Sequence, residues 1–267
     1  INMRNYIGNI ENRYFSPELL MAMRQAIEQK EQIVLLLNRR GYAPMVQCQH
    51  CGFTPECEHC DTNLVYHKDK GKFICHYCQH EEQANFVCPD CGEKIQVSGI
   101  GIQKVYEELE KLFPEVKIIR ADRDNVKTLD DYHDVYQTFL AGNAQILLGT
   151  QMIAKGFDFP DVTVVGVLET DQLLHMPDLR AREKAFQLLT QVIGRAGRNK
   201  KAGVAFLQTF EPENELFTEI LSDDYALFAE KELEARKIFH NPPYWHVSDI
   251  IISSENINEA ANCANYI

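Results

Sequence analysis

Eight of the nine cysteines form four Cys-x-x-Cys pairs between residues 48 and 91. In each pair, two thiolates can bind one tetrahedral ion while nearby backbone amides turn toward the sulfur atoms. Eight such ligands complete two closed zinc sites and leave no open position for a reactive water. We therefore predict two structural Zn2+ ions and no catalytic one. The pairs are Cys48 and Cys51, Cys57 and Cys60, Cys75 and Cys78, and Cys88 and Cys91.

The spacing alone leaves open which pairs share an ion. Gly52 and Gly92 follow the two outer pairs and permit a tight turn under the metal, whereas the inner pairs lack this glycine. Similar turns favour a nested arrangement, although a consecutive or crossed one remains open. The first site would then be Cys48, Cys51, Cys88 and Cys91, and the second would be Cys57, Cys60, Cys75 and Cys78.

The other side chains of the cysteine-rich segment have simpler interpretations. With thiolates filling both sites, we interpret its histidines as surface residues and most of its aromatic residues as a small core. Contacts of some aromatic residues with partner proteins or DNA bases remain open. The histidines are His50, His59, His67, His76 and His80, and the aromatic residues are Phe53, Tyr66, Phe73, Tyr77 and Phe86.

Residues 148–162, LGTQMIAKGFDFPDV, form a second group with chemical potential. They follow an apolar run typical of a buried strand. The Thr150 hydroxyl and exposed amides can bind phosphate without adding charge. Gly156 would permit close backbone approach, and Asp158 can accept a hydrogen bond from a ribose hydroxyl.

Residues 191–198, QVIGRAGR, close a predicted helix. Arg195 and Arg198 lie three residues apart and therefore on one helical face. Their planar, permanently charged guanidinium groups suit a transferring phosphoryl group. A single arginine would be explained by the helix dipole, but that explanation is poor for the whole string.

Helical patterns alternate with apolar runs, which predicts βαβ units and a parallel α/β sheet. Residues 15–31 are a predicted helix, with Ser16 as cap, Pro17 in the first turn, and Leu19, Met23 and Ile27 on one face. The cysteine-rich segment interrupts the alternation after the first strand, at the sheet edge where substrates usually bind. The predicted strands are 33–37, 116–119, 145–148, 162–168 and 204–208, and the later helices lie around 105–112, 132–140, 181–193, 216–221 and 225–236.

Beyond the helices, Asn241-Pro242-Pro243 breaks the pattern, and residues 249–252 are predicted to begin another, α+β domain. The chain starts at Ile1 and stops within a helical pattern, so we expect an excised fragment. The predicted divisions are 1–46 (start of the main lobe), 47–94 (inserted zinc module), 95–239 (remainder of the lobe) and 240–267 (truncated C-terminal domain).

Composition excludes several classes of protein. The formal net charge of −12 makes bulk attraction to nucleic acid unlikely, and zinc-bound thiolates would increase the negative charge, so DNA binding would need a local basic track. Arg39 and Arg40, after the first strand, could belong to it, and a structural salt bridge is the open alternative. No apolar run is long enough for a membrane span. Paired cysteines without a secretion signal predict a reducing, cytoplasmic location. The isolated Cys263 is predicted to be a buried thiol.

Taken together, these motifs resemble a known helicase family. LGTQMIAKGFDFPDV resembles motif V and QVIGRAGR motif VI of superfamily 2 helicases. With LLLNRRGYAP, the four cysteine pairs and AFQLLTQVIGRAGR, the sequence resembles the primosomal replication-restart helicases of the PriA family from Ser16-Pro17 to Pro242-Pro243. GIGIQK at residues 99–104 departs from the GTGTER-like stretch of that family, and Ile193 replaces an alanine.

The resemblance implies a RecA-like helicase lobe 2 and an ATP-dependent 3′-to-5′ DNA helicase that acts at forked or single-stranded DNA. It implies two zinc ions in the nested arrangement, and ATP with Mg2+ in the full-length protein. Single-strand DNA-binding protein, primosome proteins and helicase-loader proteins are the implied partners. By resemblance, Arg195 and Arg198 act on the γ-phosphate. Gly156, Asp158 and Gln191 would join them at the nucleotide, and Thr150 and Lys155 would contact DNA.

The 267 residues contain neither a GxxxxGK[ST] motif nor a Walker B strand. We therefore expect this piece alone to hydrolyse no ATP. Two alternatives remain open from the residues: a zinc-stabilised interaction module without ATPase activity, and another zinc-bearing superfamily 2 helicase of the DNA-uptake type.

Overall fold

The computed structural model describes most of the chain. Its described residues are 1–7, 14–37, 45–48, 50–59, 62–67, 70–75, 78–98, 101–122, 125–154, 159–176, 178–197, 202–222, 224–248, 250, 252, 254 and 256–266. Within them, the strands are β1 (Gln32–Leu36), β2 (Met45–Cys48), β3 (Val65–His67), β4 (Lys72–Ile74), β5 (Glu81–Gln83), β6 (Ile95–Ser98), β7 (Ile118–Ala121), β8 (Ile146–Gly149), β9 (Val162–Val167) and β10 (Val204–Leu207).

The helices alternate with the strands of the main sheet, as the sequence predicts. They are α1 (Pro17–Glu28), α2 (Ile102–Leu112), α3 (Leu129–Leu140), α4 (Asp171–Leu174), α5 (Ala181–Ile193), α6 (Glu215–Ser222), α7 (Tyr225–Ile238) and α8 (Ile257–Tyr266). Ser16 caps α1 by accepting from the Leu19 amide at 3.2 Å, and Pro17 occupies its first turn. No helix among the described residues is long and apolar enough to cross a membrane.

A five-stranded parallel sheet in the order β10-β9-β1-β8-β7 forms the centre of the main unit. All five residues of β1 are buried, because this strand is covered on both faces. Its side chains alternate between two cores: Val34 and Leu36 contribute to one, and Ile33 and Leu35 to the other. Helices α3, α5 and α6 cover the first face, and α1 and α2 cover the second.

The cysteine-rich segment follows β1 and precedes α2, as predicted for an insertion. Strands β2 and β6 pair in antiparallel fashion at its base, and β3, β4 and β5 form a small antiparallel sheet. Tyr66, Phe73 and Phe86 meet edge to face, with ring centroids 5.1–5.9 Å apart. These three aromatic residues therefore belong to the small core.

Three local predictions differ from the structure. The strand predicted at residues 116–119 is displaced to Ile118–Ala121, because the Val116 amide closes a turn onto the Phe113 carbonyl at 3.1 Å. In the strand predicted at 249–252, Ile250 and Ile252 are not in a strand, and the other two positions lie outside the described residues. Cys263 is exposed on α8 and is not a buried thiol.

The chain divides into two compact units, Ile1–Phe228 and Ala229–Ile267. The second unit contains a pair between Arg236 and Glu232 at 2.9 Å, and an edge contact between the rings of His240 and Trp245 at 4.6 Å. The functional motifs discussed below all lie in the first unit.

Candidate metal centres and nucleotide-facing motifs

The first cysteine cluster contains all four outer cysteines, Cys48, Cys51, Cys88 and Cys91, with sulfur atoms within 4.8 Å of one another. The closest approaches are 3.5 Å between Cys48 and Cys91 and 3.4 Å between Cys51 and Cys88. A tetrahedral zinc with Zn–S bonds of about 2.3 Å separates its sulfur atoms by about 3.8 Å. The cluster therefore matches the size of a four-thiolate metal site.

Both halves of this cluster have the same local fold. The Gly52 amide donates to the Cys48 carbonyl at 2.8 Å, and the Gly92 amide donates to the Cys88 carbonyl at 3.0 Å. Gly52 and Gly92 have φ angles of +89° and +76°, which glycine adopts without steric cost. The glycine after each outer pair thus has the role that the sequence assigned to it.

The second cluster brings together Cys57, Cys75 and Cys78, again with sulfur atoms within 4.8 Å of one another. Its fourth predicted member, Cys60, lies outside the described residues. Gln79 occupies the position after the Cys75–Cys78 pair, with φ +61°, and its amide donates to the Cys75 carbonyl at 3.0 Å. This inner turn therefore adopts the same left-handed geometry as the outer turns, but without glycine.

The electrostatics of both clusters suit a bound cation. Burial raises the pKa of the Cys51 thiol to about 12 and that of Cys57 to about 11. The amides of Phe53 and His59 nevertheless donate to these two sulfur atoms. Metal is bound by thiolates and not by thiols, and burial disfavours the negative charge of a thiolate. A divalent cation would compensate that negative charge. The residues therefore fit a structural metal ion in each cluster.

Among the described residues, no histidine of the module joins either cysteine cluster. His50 and His59 are exposed, as predicted for surface residues, whereas His67 and His80 are half-buried. The His80 ring lies 5.1 Å from that of His59, and its Nε2 lies 3.1 Å from a Glu82 carboxylate oxygen. His76 lies outside the described residues.

Thr150 and the turn with Arg195 lie at opposite ends of the strands of the parallel sheet. Thr150 directly follows β8 at the carboxyl ends of the strands, and its amide donates to the Ala121 carbonyl at 3.1 Å. Because α5 ends at Ile193, Arg195 lies in the following turn, and the prediction that it lies on a helical face is wrong. The Gly197 amide donates to the carbonyl of Val162, the first residue of β9. Thr150 and the turn with Arg195 therefore lie at opposite ends of the parallel strands.

Arg195 is half-buried, and its positive charge acts on Tyr132, where burial raises the pKa of the phenol and Arg195 opposes that change. Gln191 is exposed in the last turn of α5. The remaining predicted site residues lie outside the described residues: Arg39, Arg40, Lys155, Gly156, Asp158 and Arg198.

A buried polar cluster that the sequence did not reveal joins the first cysteine pair to the main lobe. The His175 ring is hydrogen-bonded to the Glu211 carboxylate, which also accepts from the Gln47 side chain at 2.9 Å. Thr54 lies 3.3 Å from His175 Nδ1. These residues belong to no spaced motif, so only their positions in the fold bring them together.

Comparison with known proteins agrees with the cysteine module and with the motifs. Residues 57–83 match the PriA DNA helicase Cys-rich region (CRR) domain. All of the chain aligns with the replication restart protein PriA of Bacillus subtilis (strain 168), at 43% identity over 268 residues. That of Haemophilus influenzae (strain ATCC 51907 / DSM 11121 / KW20 / Rd) is 36% identical over the same number of residues. The chain spans 33% and 36% of these two relatives, about a third of their length.

Among solved structures, the Hef helicase domain of Pyrococcus furiosus covers 77% of this chain at 14% identity, with a TM-score of 0.37. The match includes 28% of that structure.

The parallel sheet flanked by helices, with a cysteine-rich module inserted after β1, is a RecA-like fold. The resemblance predicted from the motifs is confirmed. The chain corresponds to the C-terminal portion of replication restart proteins of the PriA family.

Proposed function

We propose that this chain is the second RecA-like lobe, with its zinc module, of an ATP-dependent 3′-to-5′ DNA helicase that acts in replication restart. The main support is the alignment of the whole chain with replication restart proteins, at up to 43% identity. The two cysteine clusters add support, since residues 57–83 match the Cys-rich region of PriA DNA helicases. The proposed divisions remain 1–46, 47–94, 95–239 and 240–267.

The proposal includes two structural Zn2+ ions. Cys48, Cys51, Cys88 and Cys91 would hold one, and Cys57, Cys60, Cys75 and Cys78 the other. Bound zinc would supply rigid cross-links between short segments that cannot build a large core of their own. The protein contributes the sulfur atoms and, at Cys51 and Cys57, backbone amides that donate to them.

In the full-length protein, ATP and Mg2+ would lie between the preceding lobe and this one. We assign Arg195 and Arg198 to the γ-phosphate, where guanidinium groups stabilise the charge of the transition state. Gly156, Asp158 and Gln191 complete the proposed nucleotide contacts. The half-buried position of Arg195 supports this role, since partial burial holds a guanidinium in one orientation.

DNA would contact the side of the sheet at the carboxyl ends of the strands, through Thr150, Lys155, Arg39 and Arg40. Thr150 follows β8 there, and the two arginines follow β1 in the sequence. A local track of this kind is needed because the chain carries a net charge of −12. Single-strand DNA-binding protein, primosome proteins and helicase loaders are the proposed protein partners, in the cytoplasm.

The test uses the full-length protein with Arg198→Ala. We expect DNA unwinding and DNA-stimulated ATP hydrolysis to fall by about 10³-fold or more, within the usual range for such an arginine, while zinc stays at two per chain. Arg24→Ala, on the exposed side of α1, is the matched control and should retain activity. Unimpaired unwinding by Arg198→Ala would refute the assignment, and DNA-stimulated turnover by the 267-residue chain alone would refute its expected inactivity.

A further inference from the structure

The contact between the cysteine module and the lobe is a specific polar joint. We call it the knuckle joint and define it by Gln47, Gly52 and Thr54 on the module and by His175 and Glu211 on the lobe. Gln47 Nε2 donates to Glu211 Oε1 at 2.9 Å and to the Gly52 carbonyl at 3.3 Å. Glu211 thus binds the turn that carries Cys48 and Cys51.

The joint leaves no free space at its centre. A Cβ atom on Gly52 would lie 2.7 Å from Glu211 Cγ and 3.0 Å from an Arg4 guanidinium nitrogen. Arg4 itself donates to the Cys51 carbonyl at 2.7 Å. The His175 and Glu211 side chains are only 12% and 17% exposed, and Gln47 is buried. Such close packing of bonded polar groups permits one orientation of the cysteine turn.

The lobe side of the joint is itself tied to the main sheet. Asp171, the first residue of α4, accepts from the Thr209 hydroxyl at 2.7 Å and from the Phe210 amide. The Thr209 hydroxyl in turn accepts from the Glu211 amide at 2.9 Å, and the His175 amide donates to the Asp171 carbonyl. His175 and Glu211 are therefore both positioned by Asp171, just beyond β9 and β10.

The same elements lead to the proposed nucleotide-facing arginines. His175 directly follows α4, and α4 packs against α5. The last turn of α5 carries Gln191, and Arg195 follows it. A short, packed path thus runs from the first cysteine cluster through His175 and α4 to the helix that ends before Arg195.

We propose that His175 and Glu211 are positioning residues that fix the cysteine module to the lobe, so that movement of the lobe during ATP hydrolysis moves the module as a rigid body. This inference rests on the proposed helicase function. Loss of the joint should leave ATP hydrolysis and zinc content intact and reduce the unwinding obtained for each ATP hydrolysed.

The experiment uses the full-length protein with Glu211→Ala and measures hydrogen exchange, zinc content, ATP hydrolysis and unwinding. We expect faster exchange in residues 45–54, two zinc ions per chain, near-normal hydrolysis and a loss of about fivefold or more in unwinding per ATP, the lower end of usual coupling between sites. A merely structural role would reduce hydrolysis and unwinding together, and that result would overturn the proposal.

Two further variants distinguish the effect of losing the hydrogen bonds of the knuckle joint from the effect of losing a negative charge. Glu211→Gln keeps an oxygen that accepts from Gln47 and from His175, so it should restore most of the coupling. Glu213→Gln removes a carboxylate two residues away, whose 71% exposed side chain pairs with Arg4 at 3.3 Å. That control should unwind within about twofold of the unmodified protein, because an exposed ion pair contributes little.

The outcomes distinguish this inference from the proposed function. Unchanged hydrogen exchange in Glu211→Ala would overturn the proposed role of the knuckle joint while the helicase function stands. Faster exchange with unchanged unwinding per ATP would do the same. If the unmodified protein neither hydrolyses ATP nor unwinds DNA, the proposed function fails and the coupling role fails with it, and the exchange data still decide whether the contact exists. Should Glu211→Ala lose zinc, Thr54→Val leaves Glu211 in place, removes the hydroxyl contacts with His175 and Asn63, and carries the same test.

Discussion

The Gly197 amide donates to the Val162 carbonyl at 3.1 Å, which ties the end of the QVIGRAGR segment to the first residue of β9. Gly203 lies against the same turn, and a Cβ atom on it would be 2.2 Å from the Gly197 nitrogen and 2.3 Å from the Ala196 carbonyl carbon. The backbone after Arg195 is therefore held between β9 and the chain entering β10.

This close approach predicts a strong effect of Gly203→Ala. The added methyl group would meet backbone atoms, which move less easily than a side chain, so we expect a loss of about 1–3 kcal/mol in the free energy of unfolding. Urea denaturation of the zinc-loaded chain measures it. Gly194→Ala is the control, because its Cβ would lie 3.3 Å from its nearest neighbour at an ordinary φ of −65°. Equal losses for the two variants would contradict the prediction.

The knuckle joint predicts a pH dependence of stability. Burial alone would lower the pKa of His175, but its bond to the Glu211 carboxylate holds that pKa above the ordinary value of 6.5. A raised folded-state pKa stabilises the fold fully below 6.5, and the contribution is lost as pH rises through the folded value. Denaturation midpoints of wild type and His175→Gln, measured from pH 6 to pH 9, should therefore converge toward high pH.

Comparison with the variant is needed because zinc binding weakens at low pH, when thiolates become protonated. That effect is common to both proteins and cancels in the difference between them. A difference that grows toward high pH would have the wrong sign for a charged His175 paired with Glu211.

The ion pair between Arg182 and Glu219 predicts an asymmetric mutational response. Arg182 donates to both carboxylate oxygens of Glu219, at 2.8 and 2.6 Å, and the Glu219 side chain is 2% exposed. Arg182→Ala removes this pairing from a buried carboxylate, so we expect a loss of about 3 kcal/mol in the free energy of unfolding.

The double variant Arg182→Met with Glu219→Leu replaces both charges by apolar groups and should recover much of that loss. Thermal and urea unfolding of the single and double variants measure the difference. A double variant no more stable than Arg182→Ala would show that the buried charge is not the cause.

The cysteine clusters predict stepwise loss of metal. Cys48→Ser should lower the zinc content from about two ions per chain to about one, and Cys57→Ser should do the same at the other site, because each removes one of four ligands. Atomic absorption or a colorimetric chelator measures the content. Cys263→Ser, which replaces the exposed thiol of α8, should leave it unchanged. Loss of both ions from Cys57→Ser would indicate that the clusters do not bind metal independently.

Much of the fold could be predicted because its signals are local. The Ser16 cap, the apolar run of β1 and the bounds of α5 each depend on residues close together in the sequence, where backbone preference and side-chain period suffice. The cysteine pairs belong to the same class, since two thiolates three residues apart can bind one metal ion by their spacing alone. Their nested grouping needed one further local signal, the glycine after each outer pair.

Tertiary structure decided what joins distant residues. His175 and Glu211 are 36 residues apart, and Arg4 and Cys51 are 47 apart. The first contact exists because β9 and β10 are neighbours and bring α4 beside the chain that leaves the sheet. The second depends on the pairing of residues 1–3 with Thr209. The placement of Thr150 and Arg195 at opposite ends of the strands likewise follows from strand direction. Motif spacing carries no information about either, because strand order and docking depend on the packing of the whole unit.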